Sequence, residues 1–115
     1  MVKTKYIPAR GDIVWLDFAP TKGHEQKGIR PAFVISPILY NSKTGLALVC
    51  PITSQSKKYS FEVGLSFSKT IGVIFADHVR SIDWKTRNAR YIETVRPSII
   101  DEVEQKLLAL ISDAE

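Results

Sequence analysis

The sequence predicts a mainly β protein, a small and strongly curved antiparallel sheet or partial barrel closed by a C-terminal helix. Three observations carry this. Short runs rich in Val, Ile, Phe and Tyr recur along the first 96 residues, as pleated, half-buried strands prefer. Turn-forming residues separate them. Only the tail repeats its apolar residues at three- and four-residue spacing, the mark of one face of a helix.

In chain order, DIVWLDF (12–18) is the first strand and PAFVIS (31–36) the second. LALVCPI (46–52) follows, after a turn at NSKTG (41–45) whose glycine is free to take positive φ. In FEVGLS (61–66), Phe61, Val63 and Leu65 alternate with Glu62, Gly64 and Ser66, a period-two pattern for a one-sided strand. IGVIFA (71–76), residues 78–82 and RYIETV (90–95) complete the strands, with a single helical turn expected in DWKTRNA (83–89). In the tail, Ile99, Ile100, Val103, Leu107, Leu110 and Ile111 share a helical face. Pro97 suits a first helical position, and Asp101, Glu102 and Glu104 sit near the end where the helix dipole favours acids.

Composition narrows the function classes. A chain of 115 residues suits one domain, spanning 1–115, that buries about two-thirds of its unfolded surface. Its apolar runs fall well short of the roughly 20 residues of a membrane helix. The N-terminus, MVKTKYIPARGD, lacks a signal peptide's apolar stretch. Cys50 stands alone, so no internal disulfide is possible, and one Cys with His24 and His78 makes no metal-ligand cluster. A cytoplasmic protein with no metal or other cofactor, and no membrane partner, is expected.

Charge is uneven. Residues 1–96 hold 15 of the 16 Lys and Arg but only 7 of the 12 acids, a net of +8. From Pro97 onward the net is −4. A body this basic attracts nucleic acid or an acidic protein segment, or is simply a solvated surface.

The candidate chemistry centres on PTKGHEQKGIRP (20–31), a long polar connection of the kind that is more often functional than accidental. Arg30 precedes a proline, so its backbone is extended, and its guanidinium is a rigid fork suited to phosphate oxygens. The competing reading is a surface arginine paired with Glu25 or Asp17. Glu25 is a weak base unless desolvated, and the plain alternative is a solvated acid. His24 is either an acid/base or an exposed loop residue, and His78, next to Asp77, is either structural or working. A second constellation, PITSQSKKY (51–59), offers Thr53, Ser54, Gln55 and Ser56 as polar partners, Lys57 and Lys58 as charges and Tyr59 as a stacking face.

The succession GDIVWLDF, PTKGHEQKGIRPAFVISP, PITSQSKKY and GVIFADHVRSID resembles the MazF/PemK family of bacterial toxins, in order over nearly the whole chain, and the MazF-type branch in particular. The resemblance implies an SH3-like barrel (the CcdB/PemK-like toxin fold) with a C-terminal helix, working as a homodimer. It implies a type II toxin of a toxin–antitoxin pair, a sequence-specific endoribonuclease (an mRNA interferase) that cuts single-stranded RNA without metal. Cleavage leaves a 2′,3′-cyclic phosphate and a 5′-hydroxyl, and arrests translation and growth. The implied partner is a cognate MazE-like antitoxin whose acidic, disordered C-terminal tail covers the RNA site.

By position, Arg30 and Thr53 match the family's catalytic arginine and threonine, and Glu25 its loop glutamate. RNA contacts are expected from Lys22, His24, Ser54, Gln55, Lys57, Lys58, Asp77, His78 and Arg80. The chain departs from the pattern at Asp77-His78, where many relatives read Asp-Gln, and at Phe75, where the plasmid branch has an arginine. A sister group, the CcdB-type gyrase poisons, shares the barrel and uses a tryptophan at the end of the C-terminal helix. Trp15 and Trp84 both lie outside that helix, which argues against this alternative. A plain SH3-like binding module would leave the GHEQKGIRP loop without a role.

Overall fold

A computed structural model describes residues 5–18, 28–66 and 68–113. Seven strands and two helices follow in the order β1 (Asp12–Asp17), β2 (Ile29–Val34), α1 (Ile38–Thr44), β3 (Leu46–Thr53), β4 (Glu62–Gly64), β5 (Val73–Phe75), β6 (Arg80–Asp83), β7 (Arg90–Thr94) and α2 (Pro97–Ile111). All pairings are antiparallel, along the path β4-β5-β3-β2-β1-β7, with β6 on the far half of β3. The expected curved sheet and C-terminal helix are present. Among the described residues the strand path does not close on itself, so the barrel is an open one.

Period-two alternation divides the core between the two faces of this sheet. Ile13, Phe33, Cys50, Ile52, Val63 and Ile74 point to one face, where Ile99 and Val103 of α2 cover them. Val14, Leu16, Ala32, Val34, Ala47, Val49 and Ile82 point to the other, against Trp84. Gly11, at φ +94°, lets the chain pass beneath α2, since a Cβ there would lie 2.5 Å from Ile100 Cδ1.

Three sequence expectations are corrected by the structure. The NSKTG turn is the end of a seven-residue helix, with Gly45 as its left-handed stop at φ 77°. Asn41 anchors that helix from the core. It donates to the carbonyls of Pro8 (2.8 Å) and Ser36 (3.1 Å) and accepts from the Ser36 hydroxyl, while Trp84 donates to its backbone carbonyl. In 83–89 the expected single helical turn is closed by the Arg87 N–H bonding the Asp83 carbonyl (3.0 Å); it goes no further, and the Asp83 carboxylate takes the N–H groups of Lys85 and Thr86.

The last two corrections concern α2. Its first turn carries no acid. Glu104 instead pairs with Arg10, and Glu102 with Lys106 one turn on. Its apolar face is buried only in the N-terminal half, for Leu110 and Ile111 are 50% and 69% exposed where the helix runs past the sheet.

A basic cleft at the end of the second core

The β2–β3 ladder stops at the pair Ala32–Pro51. Pro31 and Pro51 each lack an N–H, so the ladder cannot continue evenly, and β3 turns to β5 through Ile52–Ile74 and Thr53–Val73. Where β2 and β3 part, a cleft of about 340 Å³ opens. Arg30 of β2 and Thr53 of β3 both line this cleft and the depression that adjoins it. Alternation puts both on the face that carries Ala32, Leu16 and Val49. Arg30 and Thr53 therefore stand at the rim of an apolar floor.

His78 and Arg80 line the same cleft, and no carboxylate does so among the described residues. Arg80 sits beside Val49 in the β6–β3 ladder, with its guanidinium 5.9 Å from the centre of the Phe18 ring. Two arginines above an apolar floor form a site for an anion, and the low polarity beneath them strengthens their pull. Among the described residues Arg30 has no ion pair. Asp17, a partner considered for it, binds Arg90 at 3.1 Å instead.

Thr53 accepts the N–H of Gln55 at 3.2 Å, which turns the chain out of β3 and orients the hydroxyl. Being held as an acceptor, that hydroxyl keeps its own proton available to a ligand. Ser54 joins Arg30, Thr53, Ile29 and Ile71 around a second, adjoining depression. Gln55, Lys57 and Lys58 do not line either space. They lie on the exposed loop beyond, which Glu62 ties down by accepting the Ser56 hydroxyl (2.6 Å) and the Lys57 N–H (2.5 Å). Those bonds, the Ser56 hydroxyl foremost, hold the Glu62 carboxyl below its ordinary value. Tyr59 is committed to donating to Asp77, so its hydroxyl is not free, and that bond is the main reason its proton is held more tightly than usual.

Lys22, His24 and Glu25 lie outside the described residues. The sequence reading overlooked the apolar lining, among it Phe18 of the cleft and Ile29 and Ile71 of the adjoining depression. Phe18 continues the inward alternation of Val14 and Leu16 and was legible on that ground. Ile29 and Ile71 carry no pattern of their own. Cys50 is buried in the core on the other face of the sheet, where desolvation and, secondarily, the Asp77 charge push its thiol up to about 12, so it is inert packing.

Residues 9–111 match the family described as PemK-like, MazF-like toxin of type II toxin-antitoxin system. The chain is 49% identical over 108 residues to the endoribonuclease toxin MazF of Escherichia coli K12, covering 94% of this chain and 97% of that protein. It is 34% identical to the endoribonuclease PemK of Escherichia coli, covering 97% and 88% respectively. Among solved structures it is similar to a MazE–MazF crystal structure from Deinococcus radiodurans, with a TM-score of 0.90, 45% identity, and coverage of 96% of this chain and 100% of that one. With fold, cleft and relatives in agreement, this chain belongs to the PemK-like, MazF-like toxin family.

Proposed function

We propose that this chain is the toxin of a type II toxin–antitoxin pair and cleaves single-stranded RNA at short specific sequences. The observation that carries the reading is that Arg30 and Thr53 line one basic cleft, which no carboxylate lines among the described residues. Its relatives at 49% and 34% identity are endoribonucleases, which favours this reading over a gyrase poison.

The reaction divides among few groups. The 2′-hydroxyl attacks phosphorus, the P–O5′ bond breaks, and a 2′,3′-cyclic phosphate and a 5′-hydroxyl result. Arg30 binds the non-bridging oxygens as they gain charge, Thr53 donates to the same phosphate, and Glu25 is the base for the 2′-hydroxyl. Arg80 and Ser54 extend the anion contacts on either side, and Lys57 and Lys58 attract the flanking strand. The protein acts as a single toxin domain over residues 1–115, as a cytoplasmic homodimer. A MazE-like antitoxin with an acidic disordered tail occupies the same basic cleft, so antitoxin and RNA exclude one another.

The test is digestion of a long single-stranded RNA, with sequencing of the new 5′ ends. Cuts at one recurring short sequence with 5′-hydroxyl ends are expected. Arg30→Ala should lose roughly 10²–10³ in rate while melting at the wild-type temperature. Intact RNA after prolonged digestion by the wild type sinks the reading and leaves the gyrase-poison alternative standing.

A further inference from the structure

Asp77 and His78 occupy the tight turn between β5 and β6, fixed by a His78 N–H bond to the Phe75 carbonyl (3.2 Å) and an Ala76 N–H bond to the Phe61 carbonyl (2.9 Å). One carboxylate oxygen of Asp77 accepts the Tyr59 hydroxyl. The other, Oδ1, is buried and has no hydrogen-bond partner among the described residues. A buried carboxylate oxygen without a donor is costly, and its presence needs a physical reason. The Nε2 atom of His78 is 3.7 Å from it, with the imidazole leaning on the Phe75 ring at 5.0 Å between centres. His78 also lines the cleft that holds Arg30, Thr53 and Arg80.

We infer that His78 is the general acid of RNA cleavage and that Asp77, itself anchored by Tyr59, is its positioning residue. A small rotation of the exposed imidazole brings Nε2–H onto the waiting Oδ1 and turns Nδ1 toward the cleft. As the P–O5′ bond breaks, the proton on Nδ1 passes to O5′, and the electron pair of that bond leaves with the oxygen. The proton of the attacking 2′-hydroxyl goes to the base, and exchange with water restores both groups. No other reactant is consumed. The Asp77 carboxylate serves His78 as the third member of a triad serves its base, holding one tautomer and orientation. Neither Arg30 nor Arg80 gives up a proton as readily as an imidazole, since guanidinium stays charged under ordinary conditions.

This assignment rests on the endoribonuclease reading above, and the experiment separates the two. The probe is an oligoribonucleotide containing the cleavage sequence mapped on a long transcript, made with either O5′ or a bridging sulfur at the scissile position. A thiolate departs without a proton, so only the oxygen substrate needs an acid. His78→Gln keeps a donor for Asp77 but has no proton to transfer. It should lose about 10²-fold or more on the oxygen substrate and nothing on the sulfur substrate. Asp77→Asn, which preserves the Tyr59 contact, should show the same selective loss to a smaller degree. Equal losses on both substrates would mean that His78 binds or packs without transferring a proton, and no loss on either would remove it from the reaction. Failure of the wild-type protein to cut either substrate would instead remove the endoribonuclease reading itself.

Discussion

A Cβ placed on Gly72 would lie 2.3 Å from the carbonyl oxygen of Thr53, closer than any side chain tolerates. Gly72 also has φ +131°, a conformation that L residues rarely adopt. The loop before β5 therefore rests directly on the backbone of a proposed catalytic residue, and only a glycine lets it come that close.

Gly72→Ala should consequently act on activity at a distance. The added methyl forces the β5 edge away from Thr53, and a displacement of about 1 Å at a positioned group costs on the order of 10²-fold in rate. The expected loss is in kcat more than in KM, with Val73–Thr53 pairing weakened in amide exchange. An alanine variant that cleaves RNA like the wild type would show that Thr53 need not be held there.

Thr53 itself offers two donors, its hydroxyl and its backbone N–H, and substitution tells them apart. Thr53→Ser keeps the oxygen that accepts the Gln55 N–H and should retain most activity. Thr53→Ala removes the hydroxyl and loosens the turn after β3. Loss of one preorganised donor predicts a fall of about 10²–10³ in kcat. Equal activity of the serine and alanine variants would assign the contact to the backbone.

Asn41 supports the opposite end of the molecule. Replacing it with alanine leaves the Pro8 and Ser36 carbonyls without this donor and the Ser36 hydroxyl proton without its acceptor in a closed interior, while the Ser36 oxygen still accepts the Leu48 N–H. At about 1–3 kcal/mol for each orphaned group, the total cost should be about 3 kcal/mol or more. That corresponds to a fall in Tm of roughly 10 °C or more for a domain of this size. RNA cleavage measured well below the melting point should be unaffected, because α1 does not reach the cleft.

The sequence made the core and the cleft legible to different depths. Strands could be read wherever burial is one-sided, since alternation records which face is inward, and Val63 is buried as the FEVGLS pattern requires. Pro97 begins α2 as a first-turn proline should. Helix α1 left no such trace, because Ile38, Leu39 and Tyr40 are exposed and its hold on the core runs through the single polar residue Asn41. Residue types pointed to Arg30 and Thr53 individually. Their juxtaposition depends on strand register and on the prolines that end the β2–β3 ladder, which no local pattern encodes. Gly72 shows the limit, because its importance lies in a contact with Thr53, 19 residues earlier in the chain.

The loop that carries Gly72 is itself held by Glu93 of β7, whose carboxylate accepts the N–H groups of Lys69 (3.0 Å) and Thr70 (2.7 Å). Partial burial pushes the Glu93 carboxyl upward, but these bonds and the Lys69 charge outweigh it and hold the group below its ordinary 4.5. A carboxyl lowered by folding stabilises the native state above its unfolded value, and that contribution disappears as pH falls through the folded value. Glu93→Gln should therefore lower Tm at neutral pH, and the gap from wild type should narrow once pH drops below about 4.5. The variant should also lose rate at neutral pH, because a loosened 68–72 loop no longer presses Gly72 against Thr53. Thermal melts and cleavage rates over the same pH range test both links, and a gap in Tm that stays constant from neutral to acid pH would mean that Glu93 holds the loop without its charge.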